Sequence, residues 1–283
     1  MKKLRAGFQG ELGAFSQQAI RQLLGDAARP VPYPRFDQVF AALAAGETDT
    51  AVIPIENTLA GSVHENYDHL RNHDFQIVGE TNVRIVHHLV AAPGVRFRDL
   101  KRAYSHPVAL GQCLAFFAAH PQIERTPFYD TAGAAKMVTG ENLRDAAAIS
   151  SELAAKIYGA KILKRSIEDD RENYTRFFLL ERPGRKLRLP PRRGPWKTSL
   201  VFTVRNVPGS LFRAMAVFAL RDISLAKIES RPLRGKPWEY LFYVDIAGHQ
   251  RDDVVARALE HLGELTTFLK VLGSYQQWSR VRA

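Results

Sequence analysis

Asn173-Tyr174-Thr175-Arg176-Phe177 sets a hydroxyl beside a guanidinium, just ahead of the apolar run Phe177-Phe178-Leu179-Leu180. The run reads as a buried strand. A hydroxyl and a fixed cation at the mouth of a strand suit a small anionic substrate that loses a hydroxyl group. Arginine grips carboxylates through a planar fork, and threonine can hydrogen-bond a departing oxygen. A Thr-Arg pair on its own also fits an ordinary strand edge. Other polar residues follow predicted strands: Ser16, Glu56-Asn57, Ser105 and Thr131. Singly each fits a helix cap; in α/β sheets, however, ligands bind beyond the carboxyl ends of strands.

The elements that must position these residues alternate. Leu4–Gln9 reads as a strand, and Ser16 is placed to cap a helix with Ala19, Ile20, Leu23 and Leu24 on one face. Phe36, Val39, Phe40 and Leu43 mark a second helix, and Thr50–Pro54 a short strand. Ser62-Val63-His64-Glu65 has the form of a capping box. Strands are predicted near Gln76–Gly79 and Arg84–Ala91. Ser105-His106-Pro107 starts a helix, Thr131 and Ser150 are placed to cap two more, and Gly159 stops the last. This is the pattern of an α/β fold with mostly parallel sheets.

From Ser199 onward the order becomes β-α-β-β-α-β, the ferredoxin-like split unit. Its strands are Ser199–Val204, Ser224–Ser230, Tyr240–Ile246 and Phe268–Leu272. Between the two parts lies a stretch rich in Pro and Arg. The expected domains are 1–181, a basic linker 182–196, and 197–283.

Net charge is +11, and seven of the 40 basic residues fall between Arg182 and Lys197; without them +4 remains. The stretch holds four prolines and one aromatic, Trp196, so it reads as a solvated linker rather than a nucleic-acid site. No apolar run is long enough to span a bilayer, and the Lys-rich start lacks the apolar core of a signal peptide. One cysteine, Cys113, excludes an internal disulfide and a cysteine metal cluster. It reads as a buried structural thiol in a reducing compartment. The nine histidines lack metal-ligand spacing. His87-His88 alternate faces on a strand and read as core or surface residues. Gly7 to Gly13 lacks both the dinucleotide fingerprint and the P-loop lysine; it fits an anion-facing loop or a tight turn. Glu168-Asp169-Asp170 reads as a solvated acidic turn.

Taken in order, several segments resemble the prephenate dehydratase family, including its plant arogenate dehydratase branch. They are Gly10-Glu11-Leu12-Gly13-Ala14-Phe15-Ser16, Ile53-Pro54-Ile55-Glu56-Asn57-Thr58 with Gly61-Ser62, and Ser105-His106-Pro107 with Gln112-Cys113. Asp130-Thr131-Ala132-Gly133-Ala134-Ala135, Asn173 to Phe177, Pro208-Gly209-Ser210-Leu211 and Glu229-Ser230-Arg231-Pro232 follow. The runs Ala216 to Ile223 and Tyr240 to Tyr243 stand closer to the plant branch, and Ser210 replaces the usual Ala of the effector motif.

The resemblance implies a bilobal catalytic region like a type 2 periplasmic binding protein, with the site in its cleft, and a C-terminal ACT domain that binds phenylalanine. It implies decarboxylating dehydration of prephenate to phenylpyruvate, with arogenate giving phenylalanine as the alternative. No cofactor or metal is expected, and the assembly is a homodimer or homotetramer in the cytoplasm. By the same resemblance Thr175 assists the leaving hydroxyl, Arg176 holds a carboxylate, and Asn57 and Gln112 orient the substrate. Ser16, Ser62, Ser105 and Thr131 line the cleft, Glu56 orders Asn57 or a cation, Asn173 fixes the loop, and Phe177 packs beneath. The effector site is Pro208, Gly209, Ser210 and Leu211 with Glu229, Ser230, Arg231 and Pro232. A non-catalytic amino-acid sensor and a nucleic-acid regulator are the rival readings.

Overall fold

The computed structural model describes residues 3–185, 187, 194–233, 235 and 238–278. Within the expected linker, Lys186, Arg188, Arg192 and Arg193 lie outside the described residues. The chain divides into two compact units, Met1–Asn66 with Thr81–Phe177, and Tyr67–Glu80 with Phe178–Ala283.

The first unit carries two sheets. Its first lobe is built from β1 (Leu4–Gln9), α1 (Phe15–Leu24), β2 (Ala28–Tyr33), α2 (Phe36–Ala45), β3 (Thr50–Asn57) and β4 (Gly61–Ser62). Then come α3 (His64–Asn72) and β5 (Gln76–Arg84). The second lobe holds β6 (His88–Ala91), β7 (Arg102–Ser105), α4 (Pro107–Gly111), α5 (Leu114–Ala119) and β8 (Glu124–Pro127). It continues through α6 (Thr131–Gly140), β9 (Ala146–Ser150), α7 (Glu152–Tyr158) and β10 (Lys161–Lys164), before β11 (Tyr174–Glu181) returns to the first sheet. The strand orders are β2-β1-β3-β11-β5, with β4 on β3, and β10-β6-β9-β7-β8. β1 pairs in parallel with β2 and β3, and β7 with β8 and β9, as the alternation predicts. β6 and β10 pair antiparallel at the edge of the second sheet. β5 and β11 run on into the second unit.

Two segments join the lobes, and they pair with each other. Ile85 N donates to Asn173 O at 2.8 Å, and Ile167 N to His87 O at 2.9 Å. Each lobe has its own apolar core: α1 buries Ala19, Ile20, Leu23 and Leu24, while Leu89, Leu110, Phe116, Phe117 and Ile149 pack with Cys113 in the second. Burial pushes the Cys113 thiol far above its usual range, so it is inert at neutral pH.

Helix starts fall within a residue or two of the sequence expectations. Asp130, not Thr131, caps α6, its Oδ1 accepting from Gly133 N at 2.7 Å. Ser151, not Ser150, caps α7. α1 begins after Ala14 with no side-chain cap. Ser62 sits in β4 opposite Glu56, so α3 starts at His64 rather than directly after Ser62. The consequence is that Ser16 and Thr131 lie in the first turns of their helices, where unpaired N–H groups project.

The second unit is β12 (Trp196–Thr203), α8 (Ser210–Ala219), β13 (Leu225–Pro232), β14 (Tyr240–Ala247), α9 (Asp253–Leu265) and β15 (Phe268–Gln276). The strand order β13-β14-β12-β15 gives the predicted split β-α-β-β-α-β unit. Leu200, Phe202, Val244 and Ile246 pack against Val217, Phe218, Ala258 and Leu262 of the two helices. The segment 67–80 joins this unit, although the sequence reading assigned it to residues 1–181. The reason is a dense set of contacts. Tyr67 and Tyr243 rings stand 4.5 Å apart, and the Tyr243 hydroxyl donates to Tyr67 O. Lys270 Nζ reaches Leu70 O, Arg71 O and His73 O, the carbonyl end of α3. Lys197 Nζ meets buried Glu80 at 3.0 Å.

Candidate active site

A cavity of about 460 Å³ opens within the first unit. Ser16, Asn57, Ser62, Gln112, Thr131, Thr175 and Phe177, all named from sequence, line it. On β11 the pleat decides which neighbours face it: Thr175 and Phe177 share the cavity side, and Arg176 falls on the other.

The polar wall is one connected network. Asn57 Oδ1 accepts from Leu59 N and Ala60 N, which fixes the amide's orientation. Its Nδ2 then donates to Asn173 Oδ1 at 2.7 Å, Tyr174 O at 3.1 Å and Thr175 Oγ1 at 3.0 Å. Asn173 Nδ2 donates to Gln112 Oε1 at 3.0 Å. Thr175 therefore receives a hydrogen bond, and its own proton is directed at no described residue. A hydroxyl so held can donate into the cavity.

Three expectations need correction. Arg176 does not line the cavity; it lies 3.9 Å from Glu56, which does not line it either. Ser105 is fully buried, and its hydroxyl donates to Ile149 O at 2.7 Å within the second sheet. Glu168-Asp169-Asp170 is solvated only in part, at exposed Asp169 and Asp170. Buried Glu168 accepts from His87 N and lies 3.4 Å from Arg84, and Asp169 caps α5 through Leu114 N and Ala115 N.

Other lining residues carried no functional reading in the sequence. His106 caps α4 by accepting Val108 N on Nδ1, which leaves Nε2–H as a donor; burial lowers its pKa, with Asp130 opposing. Asp130 is raised by burial, against hydrogen bonds from Gly133, Ala132 and Glu11 backbone N–H groups. Tyr129 donates to Glu11 at 3.2 Å, and burial with the Glu11 charge pushes its phenol up to about 12. The signal available was the Ser-His-Pro and Asp-Thr motifs, in which His106 and Asp130 stand beside residues that were chosen.

No lysine or arginine lines the cavity among the described residues. The cavity instead presents neutral donors and the first turns of α1 and α6, whose partial positive charge favours anions. Among the described residues no group of three or more His, Cys, Asp or Glu could hold a metal ion, and no helix is long and apolar enough to cross a membrane.

In the second unit, Gly209 caps α8 in the left-handed conformation, at φ 79°. Thr203 and Arg231 are both paired with Leu241, so the β12 end that leads to α8 and the β13 end stand at the same margin of the sheet. Pro208, Gly209, Ser210 and Leu211 thus share a margin with Glu229, Ser230, Arg231 and Pro232. The pleat separates Glu229 from Ser230: Glu229 shares a face with Lys227, 3.0 Å away, and Arg231 approaches Asp68 at 3.8 Å.

Residues 6–185 match the prephenate dehydratase family, and residues 198–264 the ACT domain. The chain is 46% identical over 282 residues to arogenate dehydratase/prephenate dehydratase 2, chloroplastic, of Arabidopsis thaliana, covering 96% of this chain and 73% of that one. A crystal structure of prephenate dehydratase in complex with L-Phe from Arthrobacter aurescens is 33% identical with a TM-score of 0.88, covering 99% and 93% of the two chains. GqqA, described as a novel type of quorum quenching acylase, is 34% identical with a TM-score of 0.86 over 97% and 98%.

Proposed function

The chain belongs to the prephenate dehydratase family, and from that premise we propose that it converts prephenate to phenylpyruvate in the cavity of its first unit. The ring carboxylate leaves as CO₂ and the para hydroxyl as water, and formation of the aromatic ring drives both losses. The observation that carries this is the Thr175 hydroxyl, held as acceptor by Asn57 on the cavity wall with its proton left for a departing oxygen. Asn57 and Gln112 position the substrate. Ser16 and Thr131, in the first turns of their helices, hold its carboxylates together with Ser62 of β4. Asn173 orders Asn57 and Gln112, Phe177 forms an apolar wall, and Arg176 and Glu56 act on each other.

Arogenate is the second reading. It carries an ammonium group in place of the side-chain keto group, and Asp130 is a buried carboxylate on the same cavity wall. The Arabidopsis relative is named for both activities. Acyl hydrolysis has less support. Thr175 Oγ1 meets an amide N–H, a donor unable to take its proton.

The domain reading is a catalytic region 1–181, a linker 182–196 and an ACT domain 197–283. Phenylalanine is the proposed effector at the Pro208–Leu211 and Glu229–Pro232 margin, between copies of the chain in a dimer or tetramer. The relative from Arthrobacter aurescens was crystallised with L-Phe. A cytoplasmic setting is proposed; buried, unpaired Cys113 supports a reducing compartment, and the Arabidopsis relative is named chloroplastic.

The test offers purified protein prephenate and arogenate separately. Phenylpyruvate from the first is the expected product; phenylalanine from arogenate alone would make the second reading correct. Turnover of neither would overturn the assignment.

A further inference from the structure

His87 lies on one of the two segments joining the lobes, is 2% exposed, and lines the cavity. Its sequence position offered only an alternating strand. The structure gives its imidazole a single polar partner among the described residues: Nε2 lies 2.9 Å from Gln112 Oε1. Nδ1 is buried with no partner. Phe15 meets the ring edge-on, at 5.8 Å between centroids.

These contacts determine the tautomer. Gln112 Oε1 already accepts from Asn173 Nδ2, and Gln112 Nε2 points at Asn57 Oδ1, 3.5 Å away. An oxygen facing Nε2 requires the proton there. Were Nε2 bare, Gln112 would have to turn its amide. Asn173 Nδ2 would then lose its acceptor, and two carbonyl oxygens, of Gln112 and Asn57, would face each other. Burial keeps the ring neutral by lowering its pKa, against the Gln112 hydrogen bond and the Glu168 charge, while His88 adds to the lowering.

We infer that His87 is a positioning residue for the dehydration: its Nε2–H fixes the amide of Gln112, and through Asn173 and Asn57 it fixes the hydroxyl of Thr175. Gln112 Oε1 accepts from both His87 and Asn173, and Asn57 Nδ2 donates to both Asn173 and Thr175, so the linkage from His87 to Thr175 is continuous although donation reverses at Gln112 and at Asn57. Gln112 ends α4 in the second lobe, while Asn57 ends β3 in the first. His87 stands on the crossing between them, so it orders a polar chain in this wall that uses both lobes. The inference rests on the dehydratase reading of this cavity.

The experiment compares His87→Leu, His87→Asn and His87→Gln by steady-state kinetics on whichever substrate the wild type turns over. Gln carries its amide nitrogen near the place of Nε2, whereas Asn carries it near Nδ1. His87→Leu and His87→Asn should lower kcat about 10- to 100-fold, the range for a misoriented catalytic group, with KM within about threefold. His87→Gln should recover most of kcat. In a Gln112→Ala background His87→Leu should have little further effect, since the group it orients is gone. Thermal unfolding of each variant separates loss of fold from loss of orientation. Wild-type kcat in His87→Leu, equal loss in folded His87→Gln and His87→Leu, or full multiplication of the two defects in the double variant would each overturn the inference. Absence of turnover in the wild type would overturn the dehydratase reading instead.

Discussion

Thr175 and Arg176 are adjacent in sequence and separated in space by the pleat of β11. The pair suggested one site in which a hydroxyl and a guanidinium work together. Of the two, only Thr175 faces the cavity, whose described lining offers helix first turns and neutral amides in place of the guanidinium. Thr175→Ala should therefore lower kcat by about 100-fold or more, the scale for a lost proton donor, with KM changed by about threefold or less. Thr175→Ser should keep a substantial part of kcat, because the hydroxyl survives. Steady-state kinetics decide it; near-normal kcat in a folded Thr175→Ala protein would remove the residue from the chemistry. Buried His87 and the cap His106 show what residue types alone do not reveal. The partner of His87 is distant in the chain, Gln112 being 25 residues away, whereas that of His106 is Val108, two residues on.

Among the elements, the Gly10–Ala14 loop ties the two lobes together. Gly13 O accepts from Ser151 Oγ at 2.6 Å, and Gly13 N donates to Gln17 Oε1 at 2.6 Å. Lys136 and Tyr129 both reach Glu11 from the second lobe. Gly13 has φ 95°, and a Cβ there would meet Ala154 Cα of α7 at 2.5 Å. Backbone on the other side leaves little room to yield. Gly13→Ala should destabilise the fold by roughly 1–3 kcal/mol from overpacking and an unfavourable backbone conformation. It should also reduce activity, because α1 carries Ser16 and Phe15 into the cavity. Urea unfolding of the purified variant measures the first effect, and an unchanged midpoint would show that the contact is slack. Sequence analysis left this glycine-rich loop open between an anion-facing turn and a tight turn. The structure gives its tightness a cause in α7, an element some 140 residues away in the chain.

For the whole molecule, four histidines that burial holds below their usual pKa set the response to acid: His87, His88, His106 and His120, the last lowered also by Lys164. Their unfolded pKa is about 6.5. Above that value both states are neutral and the full stability is present. As pH falls below it, the unfolded chain takes up protons first, and stability is lost until the depressed folded values are passed. Asp130 acts in the opposite sense, since its raised carboxyl binds a proton more readily in the folded state. Asp99 and Glu152, lowered by their arginine partners, add losses only in the carboxylate range. The expected result is a declining urea midpoint between about pH 7 and pH 5.5. A flat or rising midpoint over that window would contradict the burial of these rings.

How much of this was legible beforehand follows from the range of each determinant. The roles of Asn57, Gln112 and Thr175 came from the family resemblance, whereas strand and helix alternation and the split β-α-β-β-α-β unit depend on local pattern within a few residues. Periodicity reports those directly, because side-chain direction is set by backbone geometry over one or two turns. Arg176 could have been read correctly from the same rule, by counting faces along Tyr174–Glu181 rather than treating Thr-Arg as a unit. Ser105 could not, since its partner Ile149 belongs to a strand brought alongside only by the sheet order. The same is true of His87 on Gln112, of Lys270 on the carbonyl end of α3, and of Lys197 on Glu80. The sequence by itself determined which elements form and which residue types they present. Tertiary structure decided which of those residues meet, because hydrogen bonds and ion pairs depend on separations of about 3 Å that no spacing along the chain specifies.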